Sequence, residues 1–121
     1  VRPSTAKAKG RATEQALCDH LHDEWSCLYV ERRRLAGALD RGDIAGLPGV
    51  TIEVKSGGRV DIAGWLAELE AEMGNDDTDF GFVAVRPKGH PDPRDWWAVM
   101  PLQIALRLLD EADLLPRRER L

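Results

Sequence analysis

The stretch Arg41-Gly-Asp-Ile-Ala-Gly-Leu-Pro-Gly-Val-Thr-Ile-Glu-Val-Lys-Ser56 decides how the rest of the chain is read. Pro48-Gly49 favours a tight turn with the glycine at positive φ, which predicts two short strands joined there. In the second strand Val50, Ile52 and Val54 alternate with Thr51, Glu53 and Lys55, giving one apolar and one charged face. Glu53 and Lys55 then point the same way, with Cα atoms about 6.5–7 Å apart. Asp43 adds a carboxylate at the start of the preceding strand. An ideal two-residue turn sets Asp43 opposite Val54, on the wrong face, so a bulge or bent strand start must bring it round.

That grouping suits metal-assisted phosphodiester hydrolysis. Two carboxylates can hold a hard divalent cation such as magnesium, which keeps several of its waters. The cation polarises a phosphoryl oxygen and acidifies a bound water, while the lysine orients or helps deprotonate that water and offsets negative charge. Asp43, Glu53 and Glu14 are expected to converge on this cation, with the Val54 carbonyl as a further ligand. Glu14 enters because of its place on a predicted helix from Arg11 to about Cys27. It falls in the middle of an apolar stripe of Leu17, Cys18, Leu21, Trp25 and Leu28, where a carboxylate is costly unless paired or metal-bound.

Length and composition bound the class. A chain of 121 residues is long enough for one core, and 43% hydrophobic with 31% charged residues is ordinary for a globular protein. No run approaches the roughly 18–20 apolar residues of a membrane span, and the N-terminal residues lack an apolar signal region. With two cysteines, Cys18 and Cys27, the expected compartment is the cytoplasm. The net charge of −4 is uneven: residues 1–60 carry +2, residues 61–80 carry −7 and residues 81–121 carry +1. The acid surplus is thus confined to one segment, which leaves the N-terminal half able to present a basic face to DNA. Candidate phosphate contacts are Lys7, Lys9 and Arg11, the run Arg32-Arg33-Arg34 with Arg41, and Lys88 in a proline-containing loop.

The remaining segments complete an α/β pattern. Residues 1–10 are expected to be a flexible basic arm, residues 11–116 a single domain and residues 117–121 a frayed tail. A strand is predicted at Leu28–Glu31, and Leu35–Gly42 as a flap or short helical turn. A helix is expected from an Asp61 cap to about Met73, with Ile62, Trp65, Leu66, Leu69 and Met73 buried and Glu68, Glu70 and Glu72 solvated. Phe80–Arg86 and Trp96–Met100 are predicted strands. Pro101 opens a last helix at its first position, with Leu102, Ala105, Leu106 and Leu109 facing the core and Pro116 ending it. Cys18, His20, His22 and Cys27 do not make a zinc site, because on a helix only Cys18 and His22 lie close and structural zinc needs four convergent ligands. Residues 74–79 lack the glycine and glutamate spacing of a calcium loop.

Asp43 followed after nine residues by Glu53-Val54-Lys55 resembles the active-site motif of the PD-(D/E)XK nuclease superfamily. The segment order is similar too, and size, Glu14, Gly42-Asp43-Ile44 and Ile52-Glu53-Val54-Lys55-Ser56 most resemble the small Holliday junction resolvases of archaeal and phage type. The resemblance implies a restriction-endonuclease-like core, a central mixed sheet of about five strands flanked by helices. It also implies a homodimer that nicks a four-way DNA junction with Mg2+, for which Mn2+ substitutes. Archaeal resolvases usually carry a serine before the aspartate, and residues 28–42 contain none. A related group of standalone nuclease domains often has a glutamine in the following helix, and residues 61–73 contain none. The alternatives are a nuclease of the same superfamily acting on flaps or duplex ends, and a non-catalytic DNA-binding module on the same fold.

Overall fold

A computed structural model describes residues 5–34 and 39–117. Helix α1 (Thr5–Trp25) is followed by β1 (Glu31–Arg32), β2 (Ile44–Ala45), β3 (Val50–Ser56), α2 (Ile62–Asp76), β4 (Phe80–Arg86), β5 (Trp97–Val99) and α3 (Leu102–Glu111). The class is α/β, but the strands do not form one five-stranded sheet. β3, β4 and β5 make a mixed sheet in that order, and β1 with β2 makes a separate antiparallel pair. The turn at Pro48-Gly49 forms, with Gly49 at φ 83°, yet it does not close a β2–β3 hairpin. β2 pairs with β1 instead, in the register Arg32↔Ile44.

The alternation along β3 sorts two cores. Ile52 and Val54 pack with Leu17, Cys18, Val30, Ile44 and Ala84 on the α1 side, while Val83 and Val85 pack with Trp65 and Leu69 on the α2 side. Parallel pairing of Glu53 with Val83 and Lys55 with Val85 puts the two charged residues on the α2 side. Both faces of β3 and β4 are therefore covered, which is why β4 reads as a near-continuous apolar run. Asp61 caps α2 by accepting the Gly64 N–H at 3.1 Å, as its position before the apolar repeat predicts.

Several expectations are corrected. Residues 5–10 are not an arm but the first turns of α1. Ala6, Ala8 and Ala12 favour the helix enough to carry Gly10 inside it, at about 1 kcal/mol relative to alanine. Residues 1–4 of the proposed arm, 35–38 of the proposed flap and 118–121 of the proposed tail lie outside the described residues. Residues 39–42 are not a helical turn: the Asp40 carbonyl accepts from Asn75 Nδ2 at 2.8 Å and its carboxylate from the Gly42 N–H at 3.0 Å. The first strand starts at Glu31, leaving Leu28 and Tyr29 exposed, and Trp25 is exposed as well. Trp25 is the last residue of α1, and its indole N–H donates to His20 Nε2 at 3.3 Å, so helical spacing alone does not bury it.

The last helix turns the other way from its predicted orientation. Pro101 is its cap rather than its first residue, and the helix ends at Glu111, before Pro116. Ile104 is the buried residue, whereas Leu102, Leu106 and Leu109 are exposed. Residues 102, 104, 105, 106, 108 and 109 are all apolar. Two stripes were therefore available, and tertiary structure selects the one through Ile104, which shares a hollow with Leu66, Leu69 and Met73 of α2. No described helix is long and apolar enough to cross a membrane.

Candidate metal and nucleic-acid site

Asp43 reaches Glu53 by a backbone kink rather than by a bulge in a hairpin. In a regular antiparallel pair a residue exchanges both backbone bonds with one partner. At Asp43 they diverge: its N–H donates to the Ile52 carbonyl at 2.9 Å, while its carbonyl accepts from the Arg33 N–H at 2.8 Å. Asp43 thus stitches the β1–β2 pair to the free edge of β3. Its carboxylate completes the stitch, Oδ2 accepting the Val54 N–H at 2.7 Å. Gly42 makes the approach possible: it sits at φ +92°, and a Cβ there would lie 2.9 Å from the Ile52 carbonyl oxygen.

Beside this edge Glu53 is buried, with Oε1 reached by no donor among the described residues. Burial pushes its pKa far up, and contacts with the carboxylates of Asp43 and Glu68 push it further. Asp43, at the β3 edge, is thus brought beside Glu53 on the α2 side. Lys55 Nζ lies 2.9 Å from Glu68 Oε1 and 3.6 Å from Glu53 Oε2. Burial works against its charge, but Glu68 and Glu53 outweigh it and hold its pKa above the ordinary lysine value. Lys55 thus sets an ammonium beside Glu53 and Glu68.

Glu14 does not join Glu53. It lies on the α1 side, half-buried, where Arg32 Nε donates to its Oε1 at 3.1 Å. Burial raises its pKa, the Arg32 bond opposes the shift and the charge of Asp43 adds to it. Among the described residues the carboxylates that meet within 4.8 Å are those of Glu53, Glu68 and Glu72, not the expected trio of Glu14, Asp43 and Glu53. Glu72, assigned from sequence to a solvated face, is buried at 2% exposure. The test that singled out Glu14 also finds it, since Trp65, Leu69, Glu72 and Asp76 repeat at helical spacing.

The expected basic residues divide in two groups. A cleft of about 450 Å3 is lined by Lys7, Arg11, Arg32, Arg33, Arg34 and Arg41, and it reaches Glu14, Gly42 and Asp43. Lys9 and Lys88 line a different hollow beside Ser56, Gly57 and Arg86. Within the cleft Arg32 is paired with Glu14, and Arg33 is held by the Ile44 carbonyl at 3.2 Å and Asp76 at 3.4 Å. Arg34 and Arg41 are exposed. No family model matches this sequence, no curated protein matches it, and no solved structure matches it.

Proposed function

We propose that the chain is a metal-dependent DNA endonuclease of the PD-(D/E)XK kind, a cytoplasmic homodimer acting on branched double-stranded DNA and resolving four-way junctions by paired nicks. The observation that carries this reading is the cleft itself: six cationic side chains line a groove that runs to Asp43, and Asp43 is fixed beside Glu53, which Lys55 approaches to 3.6 Å. Phosphates bound along such a groove come to the carboxylates that need them.

The donor set fits magnesium. It is all oxygen, and the buried Glu53 Oε1 has no donor facing it. Asp43 and Glu53, with the Val54 carbonyl on the same strand edge as its N–H, would hold the ion. A cation bound there supplies polarisation of a phosphoryl oxygen and a more acidic water. The chain's own groups do the rest. The Val54 N–H fixes the Asp43 carboxylate, Lys55 places a positive charge beside Glu53, and the cleft arginines orient the backbone of the nucleic acid.

The homodimer has its own support. Leu102, Leu106 and Leu109 form an exposed i, i+4, i+7 stripe on α3, and Trp97 at the β5 edge is 51% exposed. Symmetric nicking needs two sites related by a two-fold axis, and a second copy of this face supplies one. Sedimentation at micromolar concentration is expected to give a dimer, and a monomer that still nicks junctions symmetrically would remove this part of the proposal.

The direct test compares a four-way junction, a flap and a linear duplex in magnesium. Faster cleavage of the junction supports resolvase, faster cleavage of flap or duplex moves the substrate within the class, and no cleavage of any ends the proposal. Arg34→Ala is expected to weaken DNA binding uniformly across sequences and to lower the slope of log K against log salt by about 1. Arg33→Ala is instead expected to lower stability, because it frees the Ile44 carbonyl and Asp76. Binding isotherms at several salt concentrations check both, and an unchanged slope in Arg34→Ala takes it off the DNA surface.

A further inference from the structure

We infer that Glu53, Glu68 and Glu72 form a binding site for a hard divalent cation on the α2 side of β3, separate from the Asp43–Val54 edge and sharing only Glu53 with it. The inference rests on the proposed function through Glu53 alone, since a cation can bind there whether or not the chain cleaves DNA.

The geometry provides the ligands. Glu68 and Glu72 are one helical turn apart on the same side of α2, above Glu53 on β3. One carboxylate oxygen of each lies within 4.8 Å of the others. Oxygens on opposite sides of a calcium-sized ion, each about 2.4 Å from it, are about 4.8 Å apart, so the cluster is already of coordinating size. All three donors are carboxylate oxygens, which select hard cations over zinc or copper.

A cluster of acids is common without an ion, but this one contains an orphan. Glu72 is 2% exposed and no donor among the described residues reaches either of its carboxylate oxygens. Besides burial, the groups acting on it are carboxyl groups: that of Glu53 favours its charge, while Asp40 and Asp43 oppose it. A buried carboxylate with no donor is costly, and a cation is the partner that removes the cost. Lys55 is the cation already there, bonded to Glu68 and near Glu53. Once cation binding ionises them, the three carboxylates against one ammonium leave a charge of −2, which one divalent ion cancels. Glu68, with its side chain 45% exposed, opens the cluster to solvent and so to the waters that complete the ion's shell.

The test titrates Mn2+ into the whole chain without DNA, counting bound ions by electron paramagnetic resonance. Glu68→Gln and Glu72→Gln are each expected to weaken one class of bound Mn2+ at least ten-fold, with Asp43→Asn leaving that class in place. Glu68 is surface-exposed, so Glu68→Gln keeps the test decisive if Glu72→Gln does not fold. Titrations of these glutamine variants that match the wild type overturn the inference and leave a proton shared by Glu53 and Glu72 as the filling of the cluster. A loss in Asp43→Asn equal to that in the glutamine variants also overturns it, by merging two sites into one. Mn2+ held by the glutamates in a chain that cuts no DNA removes the nuclease proposal and keeps this site.

Discussion

Asp43→Asn is expected to lower magnesium-dependent junction cleavage by at least about a thousand-fold, the several kcal/mol that a correctly held metal contributes, with the fold and junction affinity retained. The substitution is a clean one for a structural reason. The carboxylate Oδ2 accepts the Val54 N–H at 2.7 Å, and an asparagine carbonyl can accept the same bond. The backbone bonds of Asp43 to Ile52 and Arg33 are untouched. What changes is one unit of negative charge beside Glu53. Binding survives because phosphate contacts from the cleft cations supply most of the affinity. Asp43→Ala is a poorer experiment, since it leaves the Val54 N–H without its acceptor at the sheet edge and costs about 1–3 kcal/mol of stability. Cleavage in Asp43→Asn within ten-fold of the wild type would end the metal assignment. Equal loss of binding and cleavage would assign Asp43 to the framework instead.

The second large effect is on stability against pH in the metal-free protein. Burial first, and then Asp43 and Glu68, raise Glu53; burial raises Glu72 from the ordinary 4.5 to about 7, with Glu53 opposing the shift and Asp40 and Asp43 adding to it. A carboxyl with a raised pKa binds its proton more tightly in the folded chain than in the unfolded one. The stability it contributes is therefore fully present below about 4.5 and lost as pH rises through about 7 for Glu72, with Glu53 extending the loss to higher pH. The slope is opposite to that of a protein held by salt-bridged carboxylates. Glu72→Gln keeps the shape and cannot ionise, so it is expected to be more stable than the wild type by about 1–3 kcal/mol at pH 8 and nearly equal at pH 4. Urea unfolding in a chelating buffer at both pH values measures this. A wild-type stability that is flat or rises between them would show that the acids are solvated.

The alternation in Val50–Lys55, the turn at Pro48-Gly49, the Asp61 cap and the run Phe80–Arg86 were all legible, because each is set by neighbours in sequence. Period-2 patterning fixes which side chains share a face of a strand, whatever lies beyond it. Steric preference at Gly49 and the oxygen of Asp61 act over a few bonds. For the same reason Glu53 and Lys55 could be grouped before any fold was known, whereas an ideal turn sets Asp43 on the wrong face. Glu72 was equally within reach. Its place in the Trp65–Leu69 stripe is masked by the charged residues at 68 and 70, which suggest a wet face.

Other features depend on which surfaces meet, and no local pattern states that. The stripe of α3 that is buried, through Ile104 rather than Leu102 and Leu106, is chosen by tertiary contact when both stripes are apolar. Trp25, at the last position of α1, is exposed although it lies on the apolar stripe. Glu14 and Glu53 are separated because α1 and α2 take opposite faces of β3, and Arg32 then pairs with Glu14. The kink at Asp43 comes from β2 pairing with β1 instead of β3, which leaves an N–H and a carbonyl on the β3 edge for Asp43 to satisfy. Sequence by itself determined the local units and the chemical types at the site. Tertiary structure decided which carboxylates share a space, because burial and unpaired hydrogen-bonding groups exist only once the layers have packed.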